Sequence, residues 1–160
     1  MAGQPVALTQ PEKTYPPERG PPRDSGSRKA RPVMEEQRRV DLTPAAADLL
    51  ARLTTQHGPL MFHQSGGCCD GSSPMCYPDG DLITGDADIH LGDLAVPGLD
   101  RPVPFWMSVS QYAYWKHTHL TVDVVPGRGS GFSVEAPEGV RFLIRSRLMS
   151  DDELTHFQLL

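Results

Sequence analysis

A chain of 160 residues with 38% hydrophobic and 22% charged residues has the length and texture of one globular domain, which excludes a wholly disordered acidic chain and a membrane protein. No run of about 18 apolar residues occurs, and Met1 is followed by Pro- and Arg-rich sequence, so the reading is cytoplasmic, with neither a spanning segment nor a secretory signal. A net charge of −5 argues against a general nucleic-acid binder, because neutralising phosphates takes a concentrated basic surface.

Residues 1–40 hold seven of the sixteen prolines and eight Lys/Arg against five Asp/Glu, with few bulky apolar side chains. Such a segment buries too little apolar surface to offset its ordering entropy, so a disordered Pro/Arg-rich arm is expected there. Residues 41–160 form the expected single globular domain and carry seven Lys/Arg against fifteen Asp/Glu, a net of −8. That length buries enough surface for one core without disulfide staples.

A helix opens the domain. Asp41 or Thr43 suits the N-cap, Pro44 the first turn, and Leu49, Leu50 and Leu53 an apolar stripe, with Gly58 and Pro59 ending it. Short runs of period two follow, over 60–63, 88–94, 103–109, 111–125, 131–135 and 140–148, separated by Gly, Pro and Asp. No second long helical pattern supplies parallel crossovers. The expected fold is mainly β, α+β by count: a compact antiparallel sandwich or roll with one N-terminal helix. In the 111–125 run, Trp115, His117, His119, Thr121 and Asp123 share one strand parity, which would project two histidines to the same side. In the last run Val140, Phe142, Ile144, Ser146 and Leu148 form the core parity, and Arg141, Arg145 and Arg147 lie on the other face to pair with carboxylates of neighbouring strands.

All three cysteines, Cys68, Cys69 and Cys76, lie in one Gly/Pro-rich loop, HQSGGCCDGSSPMCYPDG, at 63–80. An odd count cannot be fully disulfide-bonded, and clustered thiols in a reducing compartment point to metal or redox chemistry. Between Arg52 and Arg101 there is no Lys or Arg, whereas seven aspartates fall in that stretch. A carboxylate-rich loop raises a thiol's pKa, while a bound cation would deprotonate it and gain from the surrounding charge. The candidate ligands are Cys68, Cys69 and Cys76 with His117 or His63, and the candidate metals are zinc, copper(I) or iron. An arginine of the last strand or Lys116 could still bring positive charge to the loop. The rival reading is therefore a thiol enzyme or redox protein with Cys68 or Cys69 as nucleophile and Cys76 resolving. A third is a structural or regulatory subunit that docks through its aromatic and arginine surfaces.

Asp86, Asp88 and His90 share a parity and could bring a carboxylate and an imidazole to one site, although an exposed strand edge is the simpler reading. PGRGSG at 126–131 lacks the strand, Lys and Ser/Thr of a phosphate loop and reads as a hairpin turn. No nucleophile elbow, dinucleotide fingerprint or Ser/His/Asp order is visible.

The strings SGGCCDGSSPMCY at 65–77, YWKHTHL at 114–120, DVVPGRGSGFSVE at 123–135 and RFLIRSR at 141–147 resemble the bacterial family known as domain of unknown function 779. The resemblance implies no established activity. Genes of that family often neighbour those of aldehyde dehydrogenases, which implies an accessory role in alcohol or aldehyde oxidation and an aldehyde dehydrogenase as partner. In relatives HTH often reads HTQ, which moves the choice of histidine from His119 to His117. The recurrent strings carry over to Cys68, Cys69, Cys76, Trp115, Lys116, His117, Arg128, Glu135, Arg145 and Arg147 without assigning a role to any of them.

Overall fold

The computed structural model describes Gly3 and residues 37–65, 73–128 and 131–160. Apart from Gly3 and positions 37–40, the expected arm lies outside the described residues, as do Cys68 and Cys69. The last residue of that expected arm, Val40, is a strand residue only 1% exposed.

Strand β1 (Val40–Leu42) leads into helix α1 (Pro44–His57). Thr43 accepts a hydrogen bond from the Ala46 amide, Pro44 occupies the first turn, and Gly58 closes the helix at φ 78, a conformation that favours glycine. Ala46, Leu49, Leu50 and Leu53 are buried, so the stripe legible in the sequence is the face that packs. Burying each leucine contributes about 1.5–3 kcal/mol.

Seven strands are described, in two mixed sheets. The first has the order β1-β6-β7, with β6 at Thr118–Pro126 and β7 at Val140–Leu148. The second has the order β3-β2-β5-β4, from β2 (Leu60–Gln64), β3 (Met75–Pro78), β4 (Asp88–Leu94) and β5 (Val103–Ser108). The pairs β2/β3, β4/β5 and β6/β7 are antiparallel, whereas β1/β6 and β2/β5 are parallel. The fold is thus mainly β with helices, as its periodicity indicates, but each sheet contains one parallel pair that needs no long crossover helix. The chain between β1 and β6 instead runs through α1 and all four strands of the second sheet.

Phe62 joins the two sheets. Its ring meets Phe142 edge-on at 4.9 Å across the core and lies 5.7 Å from Phe105 on the neighbouring strand. Leu120, Val122 and Ile144 from one sheet and Leu94, Val103 and Met107 from the other complete the core. A bulge between His90 and Gly92 lets β4 lie against β1: a Cβ built on Gly92 would stand 3.1 Å from Val40 Cγ1.

Three sequence expectations change. Residues 109–115 form helix α2 (Val109–Trp115) rather than the start of a strand, because Ser108 caps it through the Gln111 amide and Trp115 Nε1 donates to Gln111 Oε1 one turn back. Residues 131–135 turn instead of extending, and Glu135 folds inward to 1% exposure. Leu148, assigned to the core parity of the last run, is 78% exposed because β7 runs past the sandwich beyond Ile144. A short helix α3 (Asp151–His156) follows, opened by a Ser150/Glu153 capping box.

Candidate active site at the base of the cysteine loop

The loop that carries Cys68 and Cys69 leaves the second sheet at the end of β2 and returns at the start of β3. Strand alternation decides what lies on each side of its base. Phe62 pairs with Cys76 and His63 with Met75, so Cys76 points into the core beside Phe62 while His63 points to the outer face.

Cys76 is fully buried. Burial pushes its thiol well above the ordinary range, and the nearby Glu135 carboxylate adds to the rise. Its amide donates to Ser133 Oγ at 2.9 Å, and its carbonyl accepts from the Val134 amide at 3.1 Å. The Ser133 hydroxyl donates to Glu135 Oε2, and the Phe142 amide reaches Glu135 Oε1. Burial raises the pKa of Glu135 despite these donors.

On the outer face His63 is engaged at both ring nitrogens. Nε2 lies 2.6 Å from Asp88 Oδ1 and Nδ1 lies 2.6 Å from Ser65 Oγ. Asp88 Oδ2 accepts from the Gly85 amide at 2.9 Å. The hydrogen bond from His63 and that from Gly85 hold the Asp88 carboxyl below its ordinary value, so it stays ionised. With a ring proton on Nε2, facing the Asp88 carboxylate, Nδ1 can accept from the Ser65 hydroxyl. His63 and Asp88 have side chains 6% and 18% exposed, and Ser65 is exposed. The polarised end of the chain therefore meets solvent.

The other end of the loop is tied to the first sheet. Arg141 Nη1 donates to Ser73 Oγ at 2.7 Å. Arg141 sits on β7, so an arginine of the last strand reaches Ser73 from the first sheet.

The remaining candidates are dispersed. His117 is exposed in the turn between α2 and β6, where its carbonyl accepts from the Met149 amide. His119 is buried on β6 and bonded to Asp41 Oδ2 at 3.1 Å. His90 pairs with Asp93 rather than Asp88 and lies 4.9 Å from the Trp106 ring. Arg145 and Arg147 are paired with Asp123 and Glu153, and the Arg147 fork with the Ser150 amide draws Glu153 down to about 2. Among the described residues no three His, Cys, Asp or Glu converge as a metal would require. Cys76, His63 and His117 are thus not brought together. A cavity of about 330 Å³ between the end of α1 and residues 98–103 contains none of them.

The pairing of His63 with Asp88 was hidden in the sequence because the two are joined across a third strand. The Asp86/Asp88/His90 parity put a carboxylate and an imidazole on one face, but the carboxylate found another partner.

The described residues define a two-sheet β domain that carries a carboxylate–imidazole pair at Asp88 and His63 and an arginine, Arg141, bonded to Ser73. The chain belongs to the domain of unknown function (DUF779) family, which matches residues 49–148. That stretch runs from within α1 to the end of β7 and takes in His63, Ser65, Cys76, Asp88, Ser133, Glu135 and Arg141. No curated protein and no solved structure matches the chain. No helix among the described residues is long and apolar enough to cross a membrane.

Proposed function

We propose that this domain is a thiol protein that captures small aldehydes on Cys68 or Cys69 as an accessory to aldehyde oxidation. The observation that carries the reading is the Arg141 hydrogen bond to Ser73, four residues beyond Cys69. A guanidinium brought near these thiols would favour thiolate over thiol. The thiolate sulfur would add to the carbonyl carbon, the C=O π pair would move to oxygen, and that oxygen would take a proton to give a hemithioacetal. The step is reversible and needs no oxidant, so an enzyme that oxidises aldehydes would make use of the adduct. The family resemblance supports an aldehyde dehydrogenase in that role. Cys76 has no part as a resolving thiol, since its burial and raised pKa oppose thiolate formation.

A ¹³C NMR spectrum of metal-free protein with ¹³C-labelled acetaldehyde tests this directly. The expected result is a hemithioacetal resonance that disappears in the Cys68→Ser/Cys69→Ser variant. An identical spectrum from both proteins would end the proposal.

A second reading rests on the seven aspartates and the absence of Lys or Arg between Arg52 and Arg101. Cys68 and Cys69 would then ligate zinc, copper(I) or iron, which as a cation would deprotonate both thiols. His63 fits such a set poorly, because both ring nitrogens already have protein partners. Metal uptake of at least about one equivalent by titration supports this reading, and less than about a tenth of an equivalent defeats it.

A further inference from the structure

Asp88, His63 and Ser65 are arranged as a carboxylate, an imidazole and a hydroxyl in series, with successive contacts of 2.6 Å and 2.6 Å. We propose that this series is an acyl-transfer centre in which Ser65 is the nucleophile, an activity separate from the thiol chemistry of the adjoining loop. The order of roles follows from burial. The imidazole is buried and the carboxylate half-buried, while the hydroxyl belongs to an exposed residue. The three groups come from β2, the residue after it and β4, and the sheet holds the base rigidly.

The step balances without a cofactor. Ser65 Oγ attacks the carbonyl carbon of an ester as its proton passes to His63 Nδ1, and the imidazolium so formed is stabilised through Nε2–H by the Asp88 carboxylate. The leaving alkoxide or phenoxide takes the proton from Nδ1 as its C–O bond breaks. Water, activated by the same nitrogen, then releases the acid and restores Ser65.

The surroundings select the substrate class. His63 stands in register with Trp106, and Trp106 with His90, so a partly exposed indole and a tilted imidazole lie beside the base. This shelf suits a flat or apolar group. Beside the indole this face of β4 carries Asp88 and Asp93, so the shelf offers a substrate apolar contact rather than positive charge. A neutral aryl ester is the fitting class.

The test uses the full-length protein with p-nitrophenyl acetate and, in parallel, a fluorophosphonate probe located by mass spectrometry. The expected results are covalent label on Ser65 and turnover that falls at least about tenfold in Ser65→Ala. Asp88→Asn should lower the labelling rate at Ser65 while leaving Ser65 exposed, which separates lost activation from lost folding when the circular dichroism is unchanged. Label absent from Ser65, or turnover undiminished by Ser65→Ala, overturns the proposal. Acetyl transfer found only on Cys68 or Cys69 overturns it while leaving the thiol reading standing.

Discussion

His63 and Asp88 meet at 2.6 Å although the strands that carry them, β2 and β4, are not neighbours: β5 lies between them. The bond spans the second sheet at the base of the cysteine loop and so couples the loop's anchorage to the order of the strands.

Replacing Asp88 with Asn removes a charge-assisted hydrogen bond and should cost about 1.5–3 kcal/mol at neutral pH. The folded-state pKa of Asp88 lies below its ordinary value of 3.8, so its contribution is complete above that value and is lost as the pH falls through the lower folded value. Urea unfolding of wild type and Asp88→Asn should therefore differ at about pH 5 and converge in stronger acid. A gap that widens below pH 3.8 contradicts the assignment.

Glu135 behaves in the opposite sense. Its folded-state pKa is raised above 4.5 by burial, so wild type loses stability as the pH rises from that value through the folded one. Glu135→Gln keeps an acceptor for the Phe142 amide without the buried charge, and its stability should be flat over the same range. Glu135→Ala should cost about 1–3 kcal/mol throughout, because it strands the Phe142 amide and the Ser133 hydroxyl. Chemical denaturation at pH 5 and pH 8 reads both effects, and a flat wild-type profile contradicts them.

Gly92→Ala should cost about 1–3 kcal/mol, since the added methyl meets Val40 Cγ1 at 3.1 Å. Adding Val40→Ala removes the clash while opening space elsewhere, so the double variant should lose less than the sum of the singles. Strict additivity in thermal unfolding would show that β1 and β4 do not press on each other there.

Cys76 should resist alkylation in the native protein and react on unfolding, because its sulfur is wholly buried and its pKa raised. Peptide mapping after treatment with iodoacetamide at pH 8 resolves it from the other thiols. Native-state labelling at a rate near that of free cysteine would contradict its place in the core.

The elements that the sequence reveals most clearly are those whose pattern is local. The Thr43 cap, the Leu49/Leu50/Leu53 stripe and the Gly58 stop are contiguous signals, and the alternation of Phe142 and Ile144 with arginines marks β7 for the same reason. Residues 111–115 read as strand because Tyr112, Tyr114 and Trp115 favour strands by type, whereas the Ser108 cap and the Gln111–Trp115 bond make them helix α2. The site was legible only as ingredients. His63, Asp88 and Arg141 each stood out or shared a face with something suggestive, but their pairing depends on sheet order, which periodicity does not encode. The parallel pairing of β1 with β6 was invisible for that reason too.

The proposed activation of Cys68 and Cys69 by Arg141 is measured most directly by the pKa values of the two thiols. Site-resolved alkylation rates of the metal-free protein across pH 5–9, compared between wild type and Arg141→Gln, would give them. We predict that at least one of the two thiols titrates below the ordinary cysteine value of about 8.5 in wild type and shifts upward in Arg141→Gln. Two thiols that titrate at or above that value in wild type and do not respond to the substitution would contradict the account.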